Sequence, residues 1–210
     1  MKGVNFLQKT MNKIKAILLD ADGLVFKKQR YFSEIFAEQY GVSKDLILPF
    51  FKNNFRQCQE GTVDLKEELK PFLQQWNWEG TVESFLEFWF SFCVVDKDVL
   101  KVVRELREKG YKCYLVTDQE KYRGEYIKKN LKLENELDGF FYSFELKSSK
   151  SEKEFYEKIL KELNLAPEEV MFFDDEDENV EIASELGIQS ILVSGAEDFE
   201  KAVQEIFYKD

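Results

Sequence analysis

The run Ala16-Ile-Leu-Leu-Asp20-Ala-Asp22-Gly23-Leu-Val-Phe26 decides how this chain is read. Four consecutive apolar residues predict a strand buried on both faces, the mark of a parallel sheet. Two aspartates, two positions apart, then end it. Tyr111-Lys-Cys-Tyr-Leu-Val116 does the same, running into Thr117-Asp118, and Val170-Met-Phe-Phe173 runs directly into Asp174-Asp175. Aspartate and glycine after one strand are ordinary turn residues. Three apolar strands all ending on polar or acidic residues point instead to a site, because open parallel sheets bind ligands beyond the carboxyl ends of their strands.

Working outward, strands alternate with helical patterns from about residue 96. Val99, Leu100, Val102, Val103 and Leu106 recur at helical spacing over Asp98 to Lys109, and Gly110 is a C-terminal stop. Helices are predicted over Lys121 to Asn130, Ser151 to Leu163 and Asn179 to Leu186. Strands are predicted over Phe140 to Ser143 and Ser190 to Val193, followed by a C-terminal helix. Residues 27–95 break the rhythm, with no convincing strand. Their helices run Tyr31 to Tyr40, Lys44 to Phe51, Asp64 to Gln75 and Thr81 to Phe92. The expected fold is α/β: a Rossmann-like, doubly wound parallel sheet formed by residues 1–26 and 96–210, with an all-helical insertion at 27–95.

Composition narrows the chemistry. The chain has 210 residues, 44% hydrophobic and 34% charged, which suits one globular core with a small insertion. A net charge of −11 argues against nucleic acid and anionic membranes as partners. Lysines interrupt every apolar run near the N-terminus, so no signal peptide is expected, and either Met1 or Met11 can be the start. Phe85 to Val95, the most apolar stretch, contains Glu87 and is too short to cross a bilayer. Cys58, Cys93 and Cys113 are odd in number and lack CxxC spacing, which suits free thiols in a reducing, cytoplasmic setting. The sequence holds 0 His, which removes Ser-His-Asp and Cys-His hydrolases and HExxH metalloproteases together. No GxGxxG or P-loop occurs either.

If the three strands are neighbours, four or five carboxylates converge. That is costly unless a cation sits among them. Oxygen-rich ligation suits a hard ion, most simply Mg²⁺.

These residues resemble the haloacid dehalogenase-like superfamily. Asp20-Ala-Asp22-Gly23-Leu-Val-Phe26 resembles its first signature, DxDG followed by apolar residues. Leu115-Val-Thr117-Asp118-Gln-Glu resembles the second, a strand ending in Thr or Ser. Ser143-Phe-Glu-Leu-Lys-Ser-Ser-Lys150 resembles the third, with its lysine before a helix. Phe172-Phe-Asp174-Asp175-Glu-Asp-Glu-Asn179-Val resembles the fourth. DxDG alone is weak; the four in order, spanning residues 14 to 195, are specific, and the insertion is similar to the superfamily's helical cap.

The resemblance implies a magnesium-dependent phosphatase acting on a small soluble phosphomonoester. Asp20 would be the nucleophile that becomes an aspartyl phosphate, and Asp22 the acid and base. Thr117, Asp118 and Lys150 would contact the phosphoryl group, with Lys150 favoured over Lys147 and Lys153 by its spacing before a helix. Mg²⁺ would be held by Asp20, the Asp22 carbonyl, Asp175 and Asp174. Asn179 is open to a capping or a site role. Some features depart from the family: Ala21 between the aspartates, Asp118 where Asn is usual, and Lys147 and Ser151 in place of the third signature's Gly and Pro. A phosphomutase of the β-phosphoglucomutase type shares the core residues, and a catalytically weak binding module is motivated by those departures. A carbon–halogen hydrolase needs neither Asp22 nor the Asp174-Asp175 pair. A monomer is the default expectation. The insertion's aromatics, among them Phe36, Trp76 and Phe85, are read as core stripes rather than a ligand cage.

Overall fold

The computed structural model describes residues 13–208, so both possible starts, Met1 and Met11, lie outside the described residues. Strand β1, Ala16–Asp20, is buried at every position and lies at the centre of a five-stranded sheet ordered β3-β2-β1-β4-β5. Its neighbours are β2 (Lys112–Thr117) and β4 (Val170–Asp174), flanked by β3 (Gly139–Tyr142) and β5 (Gln189–Leu192). Every pairing is parallel.

The alternation of side chains explains the two-sided burial. Ile17 and Leu19 of β1 face one core cluster, shared with Val99, Val103 and Leu106 and with Phe199 and Val203. Ala16 and Leu18 face the other, shared with Phe155, Ile159 and Ala183. The covering helices on the first face are α6 (Lys97–Glu108) and α11 (Ala196–Phe207). On the second they are α9 (Lys153–Leu163) and α10 (Asp177–Glu185). The arrangement is the doubly wound sheet expected, and winding reverses where β4 joins β1 opposite β2.

Between Phe26 and Val95 the described elements are all helical: α1 (Phe32–Tyr40), α2 (Lys44–Pro49), α3 (Phe55–Gln59), α4 (Leu65–Leu73) and α5 (Val82–Phe90). Gly41 ends α1 in the left-handed region, and Ser43, Asp64 and Thr81 cap α2, α4 and α5 through their side chains. The helix expected over Lys44 to Phe51 runs further than its pattern, through a π turn at Phe50–Asn54 into α3. That turn follows Pro49, which has no N–H to give to an ordinary ladder. Phe36, Phe50, Trp76, Phe85 and Leu69 form a separate core inside these helices. Most of the aromatics read as core stripes lie there.

The helix expected over Lys121 to Asn130 divides into α7 (Lys121–Glu125) and a second π turn, Tyr126–Asn130. Ser143, expected to end a strand, instead opens the short helix α8, Ser143–Leu146. All three cysteines are free, and no described helix is long and apolar enough to cross a membrane.

Candidate active site

Register sets the site. Asp20 of β1 pairs with Val116 of β2, and Leu19 pairs with Phe173 of β4. Asp20, Thr117 and Asp174 therefore end neighbouring strands within one residue of each other, at the carboxyl edge of the sheet. All three are buried, Asp20 at 3% exposure and Asp174 at 0%.

Lys150 is brought to the same point from the loop before α9. Its ammonium donates to Asp20 Oδ1 and, at 2.8 Å, to Asp174 Oδ2. The competing lysines go elsewhere: Lys147 Nζ donates to the Gly61 carbonyl and Lys153 pairs with Glu185. Burial pushes the Asp20 carboxyl up to about 8, with Asp174 adding to the rise and the Lys150 ammonium opposing it. Lys150, buried between two carboxylates, is held well above its ordinary value by Asp20 and Asp174, which outweigh its desolvation.

Asp174 is braced from behind. Asn179 Nδ2 donates to both of its carboxylate oxygens, at 3.3 and 3.2 Å, and the Glu176 N–H donates to Oδ1 at 2.8 Å. Asn179 thus supports Asp174 from the first turn of α10, whose N-cap position is Glu176. Oxygens of Asp20, Asp174 and Asp175 lie within 4.8 Å of one another. Lys28 Nζ sits on the outer edge of this group, 2.8 Å from Asp175 Oδ2. An all-oxygen set of three carboxylates has the chemistry of a site for a hard divalent cation.

Gly23 makes room for Asp175. Its φ is +112°, and a Cβ there would fall inside the Asp175 carboxylate. Gly23→Ala is expected to displace Asp175 and cost about 1–3 kcal/mol in stability. Its affinity for divalent cations, read by calorimetric titration, is expected to fall about tenfold or more. Unchanged cation affinity would show that the Gly23–Asp175 approach is irrelevant to the site.

The Asp118 carboxylate lies beside the loop that carries Lys150. It accepts from Ser149 Oγ at 2.8 Å and from the Lys150 N–H at 3.0 Å, so its charge holds the loop that delivers Lys150. Asp118 is thereby a loop anchor, and the extra negative charge that motivated a non-catalytic reading is already engaged. The missing Gly of the third signature is also accounted for. Lys147 takes the left-handed conformation that ends α8, at φ 54°, and its ammonium is tied to Gly61.

Asp22 lies beyond the strand, with its side chain 53% exposed. Two partners that the sequence reading missed hold it. Arg123 Nη1 and Nη2 donate to Oδ2 and Oδ1 at 2.7 and 2.6 Å, and Gln119 Nε2 donates to Oδ2 at 3.0 Å. Arg123 outweighs desolvation and holds the Asp22 carboxyl below its ordinary range. Gln119 Nε2 also reaches Thr117 Oγ1, while its Oε1, buried, has no hydrogen-bond partner among the described residues.

A cavity of about 390 Å³ opens from Asp22, Arg123 and Asp175 toward the inserted helices, where Phe32, Phe55 and Trp89 line it. Those helices also touch the loops of the site: Gln59 Nε2 donates to the Asp118 carbonyl at 2.9 Å, and Ser143 Oγ donates to the Gln59 carbonyl at 2.7 Å.

The family model for haloacid dehalogenase-like hydrolases matches residues 14–187. A phosphorylated carbohydrates phosphatase of Thermotoga maritima is 26% identical over 189 residues, covering 85% of this chain and 84% of the relative. An enolase-phosphatase E1 of Aquifex aeolicus is 34% identical over 230 residues, covering 90% of this chain and 96% of the relative. Among solved structures, a HAD family enzyme of Bacteroides thetaiotaomicron in a magnesium complex superposes with a TM-score of 0.79 at 24% identity. The match covers 91% of this chain and 99% of that one, a likeness of fold.

Proposed function

The chain belongs to the haloacid dehalogenase-like hydrolase family, and from that membership we propose that it is a Mg²⁺-dependent phosphatase of small soluble phosphomonoesters. One observation carries the reading: a buried carboxylate, Asp20, at the end of the central strand, facing a buried ammonium and two further carboxylates. The names of the relatives from Thermotoga maritima and Aquifex aeolicus, both phosphatases, support it.

Asp20 attacks phosphorus and becomes an aspartyl phosphate. Asp22, which Arg123 holds ionised in the free chain, takes up a proton as the phosphoryl anion binds beside it and gives that proton to the departing alkoxide. Asp22, again a carboxylate, then takes a proton from the water that attacks phosphorus and frees Asp20. Thr117 and Lys150 hold phosphoryl oxygens, and Lys150 offsets repulsion between Asp20 and the incoming anion. Asp20, Asp174, Asp175 and the Asp22 carbonyl would hold the Mg²⁺, which supplies charge neutralisation on the phosphoryl oxygens. Among the described residues, the four carboxylates Asp20, Asp22, Asp174 and Asp175 are paired with three cationic side chains, Lys28, Lys150 and Arg123. The surplus negative charge suits a cation. Residues 27–95 act as a helical cap that closes over the aromatic side of the cavity and excludes water.

The test is phosphate release from a panel of alkyl, sugar and aryl phosphomonoesters, with Mg²⁺ and with excess EDTA. Release is expected only with Mg²⁺. Undiminished release in EDTA would remove the metal from the reading, and product that keeps its phosphate at a new position would favour a mutase.

A further inference from the structure

We propose that Arg123 is the positioning residue for Asp22, fixing the direction in which that carboxyl meets the leaving group. The proposal rests on the phosphatase reading above. Its observation is separate: a forked, two-bond pair between a nearly buried guanidinium and a solvent-facing carboxylate.

An ion pair between two mobile surface side chains contributes little, because both must be ordered to make it. Here one partner is already ordered. The Arg123 side chain is only 14% exposed. Its Nε donates to Cys93 Sγ at 3.2 Å, and its guanidinium carbon lies 5.8 Å from the centre of the Phe26 ring. Its backbone is fixed too. The Glu120 carboxylate caps α7 by accepting the N–H groups of Tyr122 and Arg123 at 2.7 and 2.6 Å. The guanidinium is thus held by the first turn of α7, by Phe26 just after the first signature, and by Cys93 on the return from the inserted helices.

Asp22 has no comparable support of its own. Apart from Arg123, its side chain accepts one bond among the described residues, from Gln119. Arg123 therefore sets its orientation. Each terminal nitrogen of Arg123 gives one N–H to Asp22 and keeps a second, so positioning is separated from direct substrate binding by the KM readout below.

The consequence depends on the leaving group. A strongly basic alkoxide needs a proton as its bond to phosphorus breaks, whereas p-nitrophenolate leaves without one. Misdirecting an acid costs on the order of 10²-fold when its proton is needed and little when it is not. Glycerol phosphate and p-nitrophenyl phosphate, hydrolysed by the full-length chain with Mg²⁺, separate the cases. Arg123→Gln is expected to lower kcat about 10²-fold on glycerol phosphate and less than about fivefold on p-nitrophenyl phosphate, with KM on each within about threefold. Arg123→Lys, which keeps one charged contact, is expected to recover part of the loss. In an Asp22→Asn background, Arg123→Gln is expected to cost nothing further, because the partner it acts through is gone.

Equal losses of kcat on the two esters would overturn the proposal, as would a KM increase at unchanged kcat, the sign of direct substrate binding. An additive loss in the Asp22→Asn background would overturn it as well, and Arg123→Lys carries the comparison if the Gln variant does not fold. A wild-type chain that releases phosphate from neither ester would overturn the phosphatase reading itself, and this proposal with it.

Discussion

Asp20→Asn is expected to lower Mg²⁺-dependent phosphate release by about 10⁴-fold or more, the scale on which removing a covalent nucleophile acts. The amide is nearly isosteric and can still accept from Lys150, so the geometry of the site survives. What goes is the carboxyl oxygen that would attack phosphorus. Rapid quenching in acid should trap protein-bound phosphate in the wild type and none in the variant. The same substitution is expected to stabilise the fold at neutral pH. Burial raises the Asp20 carboxyl from 3.8 to about 8, so as pH rises through that window the unfolded chain loses its proton before the folded one does. The wild type therefore loses stability across the window. The asparagine variant has nothing to titrate there, and its advantage should grow with pH in thermal melts. Activity that survives Asp20→Asn would mean another group is the nucleophile.

Lys150→Met is expected to fail in the opposite way. Among the described residues the ammonium is the one cation paired with both Asp20 and Asp174, and both of those side chains are buried. Removing it leaves a buried carboxylate without its cation, a loss of about 3–5 kcal/mol. For a chain of this size that lowers Tm by about 10 °C. Phosphate release is expected to fall by about 10²–10³-fold, since phosphoryl oxygens lose their charged partner. The pH sign again follows from burial. Without the ammonium the Asp20 carboxyl is pushed further up, so the stability deficit is largest at high pH and shrinks as acid protonates it. Melts at pH 5 and pH 8 check this, and adding Asp20→Asn to Lys150→Met should restore part of the loss. A Lys150→Met chain that melts like the wild type at pH 8 would show that the ammonium does not hold the two carboxylates together.

The two variants act on one hydrogen-bonded cluster, and most of that cluster was legible before any coordinates. Asp20, Thr117 and Asp174 each sit where an apolar run stops, a local pattern. Lys150 stands at a fixed remove before a helix whose apolar face is periodic. Asp118 was legible as a residue but not as a role, because the direction of its carboxylate depends on where residues 149 and 150 return. Asn179, open between two roles, is decided by the approach of Asp174 at the end of β4. Arg123 left no signal: it lies 101 positions from Asp22, inside an ordinary amphipathic helix.

By itself the sequence determined the order of strands and helices, the run of helices between Phe26 and Val95 and the residues that end the central strands. Those depend on periodicity, capping and turn chemistry within a few positions of each residue. Only the tertiary structure decided that Arg123 pairs with Asp22 and that Asp118 secures a loop. Each of these is a meeting of side chains from separate crossings of the sheet. Their partners are set by strand order and register, and neither is written in any local stretch of the chain.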